Sequence, residues 1–253
     1  MSRSEDTSIE VSSLYILKIK LKTMLDPARA KCWLLILIST ILFSISGYGQ
    51  DYFRIRADFS VKISNSNGTK NLTRGIVYYD KNIRDLIYDI SFPRKEKWIS
   101  RDTCLYKFSN DSLIQKVTIP SINEFTIFHL ALNSRLNDFG LKNTMYQMNK
   151  VEKKGGMVLS YWKIPEKAKI SIDHVVVAKK SNRLESVVMV NSDQKIISKQ
   201  FFRNYIKIDA FEFPSQIIQI LYDPDGRENY QVTEFRNIRI NDMTNSKLYE
   251  SAL

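Results

Sequence analysis

The chain has 253 residues, with 38 Lys and Arg against 27 Asp and Glu, for a formal net charge of +11. Two cysteines, Cys32 and Cys104, exclude a disulfide framework, and His129 and His174 lie too far apart in sequence to form a zinc motif with either cysteine. The basic residues are spread with no dense block, which fits a solvated surface and argues against nucleic acid as a partner.

The first element is an apolar run, CWLLILISTILFSI, from Cys32 to Ile45, behind Arg29 and Lys31 and ahead of Gly47-Tyr48-Gly49-Gln50. A positive segment, an apolar segment and a small-x-small step follow in the order of a signal peptide. The run is short of the ~20 apolar residues that span a bilayer as a helix. Residues 1–49 are therefore expected to be removed after Gly49, with Met24 a more ordinary start than Met1 and an uncleaved anchor the alternative. Cys32 precedes the apolar run and so is not a lipid-attachment cysteine. Residues 50–253 are expected to form one exported domain, soluble in the periplasm, with enough length for a core.

From Phe53 to Ile63 every odd position is apolar and Arg54, Arg56, Asp58, Ser60 and Lys62 fall between, the mark of a long half-buried strand. Asn65 to Gly68 is a turn, and strands follow over Leu72–Tyr79 and Ile83–Ile90. Shorter ones follow at Trp98–Ile99, Cys104–Phe108 and Leu113–Ile119. Consecutive strands with short polar turns predict an antiparallel meander.

The segment after Pro120 breaks the pattern. Ser121 and Glu124 have capping-box spacing, and Phe125, Phe128, Leu132, Leu136 and Phe139 recur at helical spacing before Gly140. Ile127, Leu130 and Ala131 lie off that stripe, so a helix over Phe125–Leu136 is expected to be apolar on more than one face. Strands then resume: Met145–Val151, Met157–Ile164, Ile170–Ala178, Leu184–Val190, Ile196–Tyr205, Phe211–Tyr222 and Glu228–Phe235, with Ile238 and Ile240 as a further short one. The polar tail from Asn241 is expected to be loosely held. The fold class that results is mainly β: about ten to twelve antiparallel strands in a large curled sheet, an open barrel that does not close, covered by helix.

Little points to catalysis. His129 lies in an apolar helical run, His174 heads a Val-rich strand, and neither accompanies a nucleophile elbow. Cys104 reads as a small buried hydrophobe. Asp80, Asp85, Asp89 and Glu212 are not marked out as a carboxylate pair, and Asp223-Pro224-Asp225-Gly226 reads as a hairpin turn. No catalytic residue, metal ligand or cofactor is expected. The aromatic residues on strands and helix permit a lined cavity for an apolar ligand.

Two stretches, GIVYYDKNIRDLIYDISFPRKEKWISRDTCLYKFSNDSLIQKVTI from Gly75 and LESVVMVNSDQKIISKQFFRNYIKIDAFEFPSQI from Leu184, resemble the periplasmic lipoprotein-carrier family, LolA and its relatives. The resemblance lies in the order of Gly75, Tyr88, Phe92-Pro93, Trp98-Ile99, Asp102, Leu105-Tyr106, Tyr205 and Phe213-Pro214. Two places depart from it: Tyr79-Asp80 stands where the carriers commonly have Arg-Pro, and Asp102-Thr103 where they have Asp-Gly. No latch residue is carried over. The resemblance implies an open antiparallel barrel with helices over its mouth and an apolar cavity for lipoprotein acyl chains. Together these readings predict a non-enzymatic carrier of lipoprotein acyl chains or other lipid, working with inner- and outer-membrane partner proteins. Its cavity would be lined by Ile76, Tyr78, Phe125, Phe128, Leu132 and Tyr161. The alternatives are an envelope interaction module without ligand and, more distantly, a secreted hydrolase.

Overall fold

The computed structural model describes residues 51–119, 126–165 and 172–250. The expected signal segment, the capping box at Ser121 and Glu124, and Phe125 lie outside them. Thirteen strands are described. They are β1 (Arg54–Ser64), β2 (Lys70–Asp80), β3 (Leu86–Phe92), β4 (Glu96–Arg101), β5 (Cys104–Ser109) and β6 (Ser112–Thr118), then β7 (Gln147–Lys154), β8 (Met157–Lys163), β9 (Ile172–Lys180), β10 (Arg183–Asn191), β11 (Ile196–Ile208), β12 (Phe211–Tyr222) and β13 (Glu228–Ile240).

All thirteen join one antiparallel sheet in the order β6-β5-β4-β3-β2-β1-β13-β12-β11-β10-β9-β8-β7. The strands form two meanders joined where β1 pairs with β13, and β6 and β7 are left as the edges. One apolar cluster takes side chains from β2 and β3 on one side and from β8 and β9 on the other, including Val77, Leu86, Trp162 and Val175. A flat sheet could not bring strands so far apart in the order to one core, so the sheet curls around it as an open barrel. That face is the inner one.

On β1 the alternation works as its spacing predicts. Ile55, Ala57 and Phe59 are buried inward, while Arg54, Arg56, Asp58 and Ser60 point outward. On β13 the parity breaks. Phe235 faces inward, the register slips between Arg56 and Asp58 on the partner strand, and Asn237 takes a positive φ of 50°. This bulge returns Ile238 and Ile240 to the inner face, so they extend β13 instead of starting the separate short strand expected from the pattern. Gly75 on β2 has a different constraint. A Cβ there would lie 2.1 Å from the carbonyl oxygen of Asp89 on β3, so the close approach of the two strands admits only glycine.

Two expectations are corrected. The helix α1 covers only Ile127–Leu132, not Phe125–Leu136. Thr126 caps it, its hydroxyl accepting from the His129 backbone N–H at 3.3 Å, and Ser134 enters the left-handed region at φ 55°. Leu136–Asp138 is a separate 3-10 turn, and Phe139 and Gly140 both have positive φ, 53° and 74°. The helical spacing of Leu136 and Phe139 thus belongs to a second turn that packs on the same core.

The tail is held, not loose. The Asn241 side chain accepts from the Phe53 backbone N–H at 2.9 Å and donates to the Asp51 carbonyl at 2.9 Å. A 3-10 turn over Ser246–Tyr249 then lays Tyr249, 1% exposed, edge-on against Tyr78 at 5.5 Å.

Candidate functional site

The inner face is built around aromatic rings. Phe128 of α1 stacks on Phe213 at 5.8 Å, meets Phe235 edge-on at 5.1 Å and lies 6.3 Å from Tyr79. Phe213 in turn stacks on Phe211 and crosses Phe235 at 5.5 Å. Offset and edge-to-face rings at such spacings add to the gain from burial alone. All six residues of α1 are buried, Leu132 among them. A helix of six residues has almost no stability of its own, so α1 exists because its side chains have somewhere apolar to go.

A polar contact also crosses between helix and sheet. The Tyr79 hydroxyl and His129 Nδ1 share a buried hydrogen bond of 2.7 Å.

Of the residues expected to line one cavity, the structure brings Phe128 and Leu132 together on the inner face. Ile76 and Tyr78 are on the other face of β2. Tyr78 belongs to a second cluster with Ile87, Ile99 and Tyr249, and Ile76, Tyr106 and Phe108 pack against it. The physical reason is parity: Val77 and Tyr79 take the inward positions, so their neighbours must point outward. Tyr161 is also outward, one residue from the inward Trp162, and its hydroxyl donates to Glu152 at 2.7 Å. Phe125 lies outside the described residues. The inner residues absent from that expectation are Val77, Tyr79, Phe211, Phe213 and Phe235; the alternation within Phe211-Glu212-Phe213 and the apolar run over Val77–Tyr79 are the available signals.

Behind the second cluster is a buried ion pair. Arg54 Nε donates to Asp80 at 2.5 Å, and its Nη1 donates to the Ser246 hydroxyl at 2.9 Å. The guanidinium also lies 4.8 Å over the Tyr249 ring. The Tyr249 hydroxyl itself has no hydrogen-bond partner among the described residues, and burial pushes its pKa up to about 12. On the neighbouring hairpin Arg101 grips Asp85, which is fully buried, with two bonds of 2.8 and 2.5 Å, and this holds the Arg101 pKa above its ordinary value.

The groups with reactive potential are dispersed. His174 Nδ1 and Asp173 are 2.8 Å apart at a small surface cavity of about 270 Å³, and the bond keeps the Asp173 carboxyl below the usual carboxylate range. Cys104 is half-buried on β5. Among the described residues no group of three or more His, Cys, Asp or Glu could hold a metal ion. What the arrangement offers is a short helix packed on a curved aromatic wall.

No family model matches the chain, and no curated protein does. Solved structures do. A LolA superfamily protein from Nitrosomonas europaea is 15% identical, with 81% of this chain and 92% of that one covered at a TM-score of 0.52. A DUF1329 family protein from Desulfovibrio piger is 14% identical, covering 79% and 91% at 0.54. A putative outer membrane lipoprotein-sorting protein domain from Vibrio parahaemolyticus is 11% identical, covering 83% and 95% at 0.57. The fold is that of these proteins, the fold that the resemblance implies.

Proposed function

We propose that the chain is a non-enzymatic carrier, exported to the periplasm, that shelters lipoprotein acyl chains or other lipid against the inner face of its sheet. The single observation that carries the reading is α1. It is a short helix, wholly buried against an aromatic wall and tied to it by the Tyr79–His129 bond. Its backbone adds little stability of its own, so what holds α1 down is the burial of its side chains, a loss that a ligand covering the same wall would offset. An acyl chain that took its place would gain ~0.8 kcal/mol per buried CH₂. The wall of Phe211, Phe213 and Phe235 is the apolar surface it would lie against. The fold shared with a lipoprotein-sorting domain supports the same reading.

The test is native mass spectrometry of the full chain purified from cells without detergent exchange. Acylated species should co-purify with the wild type and exchange faster from Tyr79→Phe, which loses the hydroxyl but keeps the ring. A wild-type chain that is always free of lipid and refuses added acyl peptide overturns the reading. It would favour the envelope module, in which Phe128 is a permanent part of the core.

A further inference from the structure

The outer face carries a site of its own, independent of the carrier reading. Three clefts adjoin there, of about 710, 380 and 380 Å³, and Asp89 lines all three. They run from β13 and β1, across β2 and β3, to β5 and the turn at Lys247–Glu250. With strands ~4.8 Å apart, five steps make a trough about 24 Å long.

Its two ends differ. At the wide end Lys62, Arg74 and Lys95 line the cleft, and none of these side chains has a hydrogen bond or ion pair among the described residues. The acids there are already engaged: Glu234 is 3.4 Å from Arg236, and Asp58 is bonded to Asn237 at 2.7 Å. At the other end the half-buried Phe108 and Leu248 of the tail give an apolar surface over the buried Tyr78, Ile87 and Ile99, and Lys97, Asp111, Lys247 and Glu250 stand around it. Between the ends lies Asp89, half-buried and likewise without a side-chain partner among the described residues. Along the trough the chemistry runs from cations, past a hydrogen-bond acceptor, to an apolar patch set within charged residues.

We propose that this trough binds a single-chain phosphate amphiphile with a hydroxylated backbone, of the lysophospholipid type. The phosphate takes Lys62, Arg74 and Lys95, the backbone hydroxyl donates to Asp89, and the chain lies over Phe108 beside Leu248. Free phosphate shares only the first of these contacts, and a fatty acid lacks the second.

Isothermal titration of the full chain with 1-oleoyl lysophosphatidic acid, below its micelle concentration, tests this. Arg74→Glu/Lys95→Glu, two exposed positions, should weaken binding about tenfold or more per charge, the worth of a charge-assisted hydrogen bond. Asp89→Ala should erase the preference for lysophosphatidic acid over its 2-deoxy analogue. Inorganic phosphate should bind far more weakly than the amphiphile. Equal binding by wild type and the double variant overturns the proposal, as does phosphate binding as tight as the amphiphile or binding to anionic vesicles alone. A Phe128→Ala chain separates the two readings, because it should lose lipid held under α1 and keep this trough.

Discussion

The two faces of β2 and β3 differ by one residue in register and by nearly everything in chemistry. On the inner face, Val77, Tyr79, Leu86 and Ile90 join rings packed at 5.1 and 5.8 Å with a helix pressed into them. On the outer face, Ile76, Tyr78, Ile87 and Asp89 open onto clefts with a docked tail at one end and, at the other, cations that have no partner among the described residues. The inner face holds the sheet in its curl. The outer face has surface to spare, and what stability it has comes from the tail and from Arg54–Asp80. A strand pair can thus carry structure on one side and recognition on the other, because side chains alternate across it.

The largest test of this contrast is a matched pair of truncations. Phe213→Ala should cost about 3–5 kcal/mol in urea unfolding, the usual loss for a fully buried aromatic. Phe108→Ala, half-buried on the outer face, should cost less than half of that. Equal losses would break the distinction. A smaller effect of opposite sign is expected at the tail. Tyr249→Phe removes a buried hydroxyl with no partner among the described residues, and should raise stability by about 1 kcal/mol. A loss of similar size would mean that the hydroxyl is satisfied in solution.

The smallest effect concerns a surface pair. Glu212 is held below the usual carboxylate range by Arg183, which bonds it at 2.8 and 3.0 Å. A depressed carboxyl stabilises the fold above its unfolded pKa, and that contribution fades as pH falls through the folded value. Thermal melts of wild type and Glu212→Gln should therefore differ slightly at neutral pH and converge in acid. A difference that grows in acid would contradict the sign.

How much of this is legible in the sequence varies from element to element. β1 is legible because its polar and apolar residues alternate without a break. β2 is legible as a strand but not as two faces: Ile76, Val77, Tyr78 and Tyr79 are all apolar enough for either side, so the pattern allows Ile76 and Tyr78 an inward place where the fold turns them outward. The helix is legible in kind but not in extent, since two successive turns keep one spacing through a left-handed break at Ser134. The tail is illegible, because Tyr249 is a lone aromatic in a polar stretch and its partner Tyr78 is remote in sequence. The three cations of the trough come from separate strands and a turn, and no local motif joins them.

The strand order has a mechanical consequence. The two rims of the open sheet, β6 and β7, are successive strands, and the segment bearing α1 is the chain between them. The helix is therefore tethered by the chain to both rims, and it cannot diffuse away from the sheet. The first and last strands are zipped together at the sheet's midline, as far from either rim as the order allows, so the seam that closes the chain on itself and the helix tether lie at opposite places in the sheet.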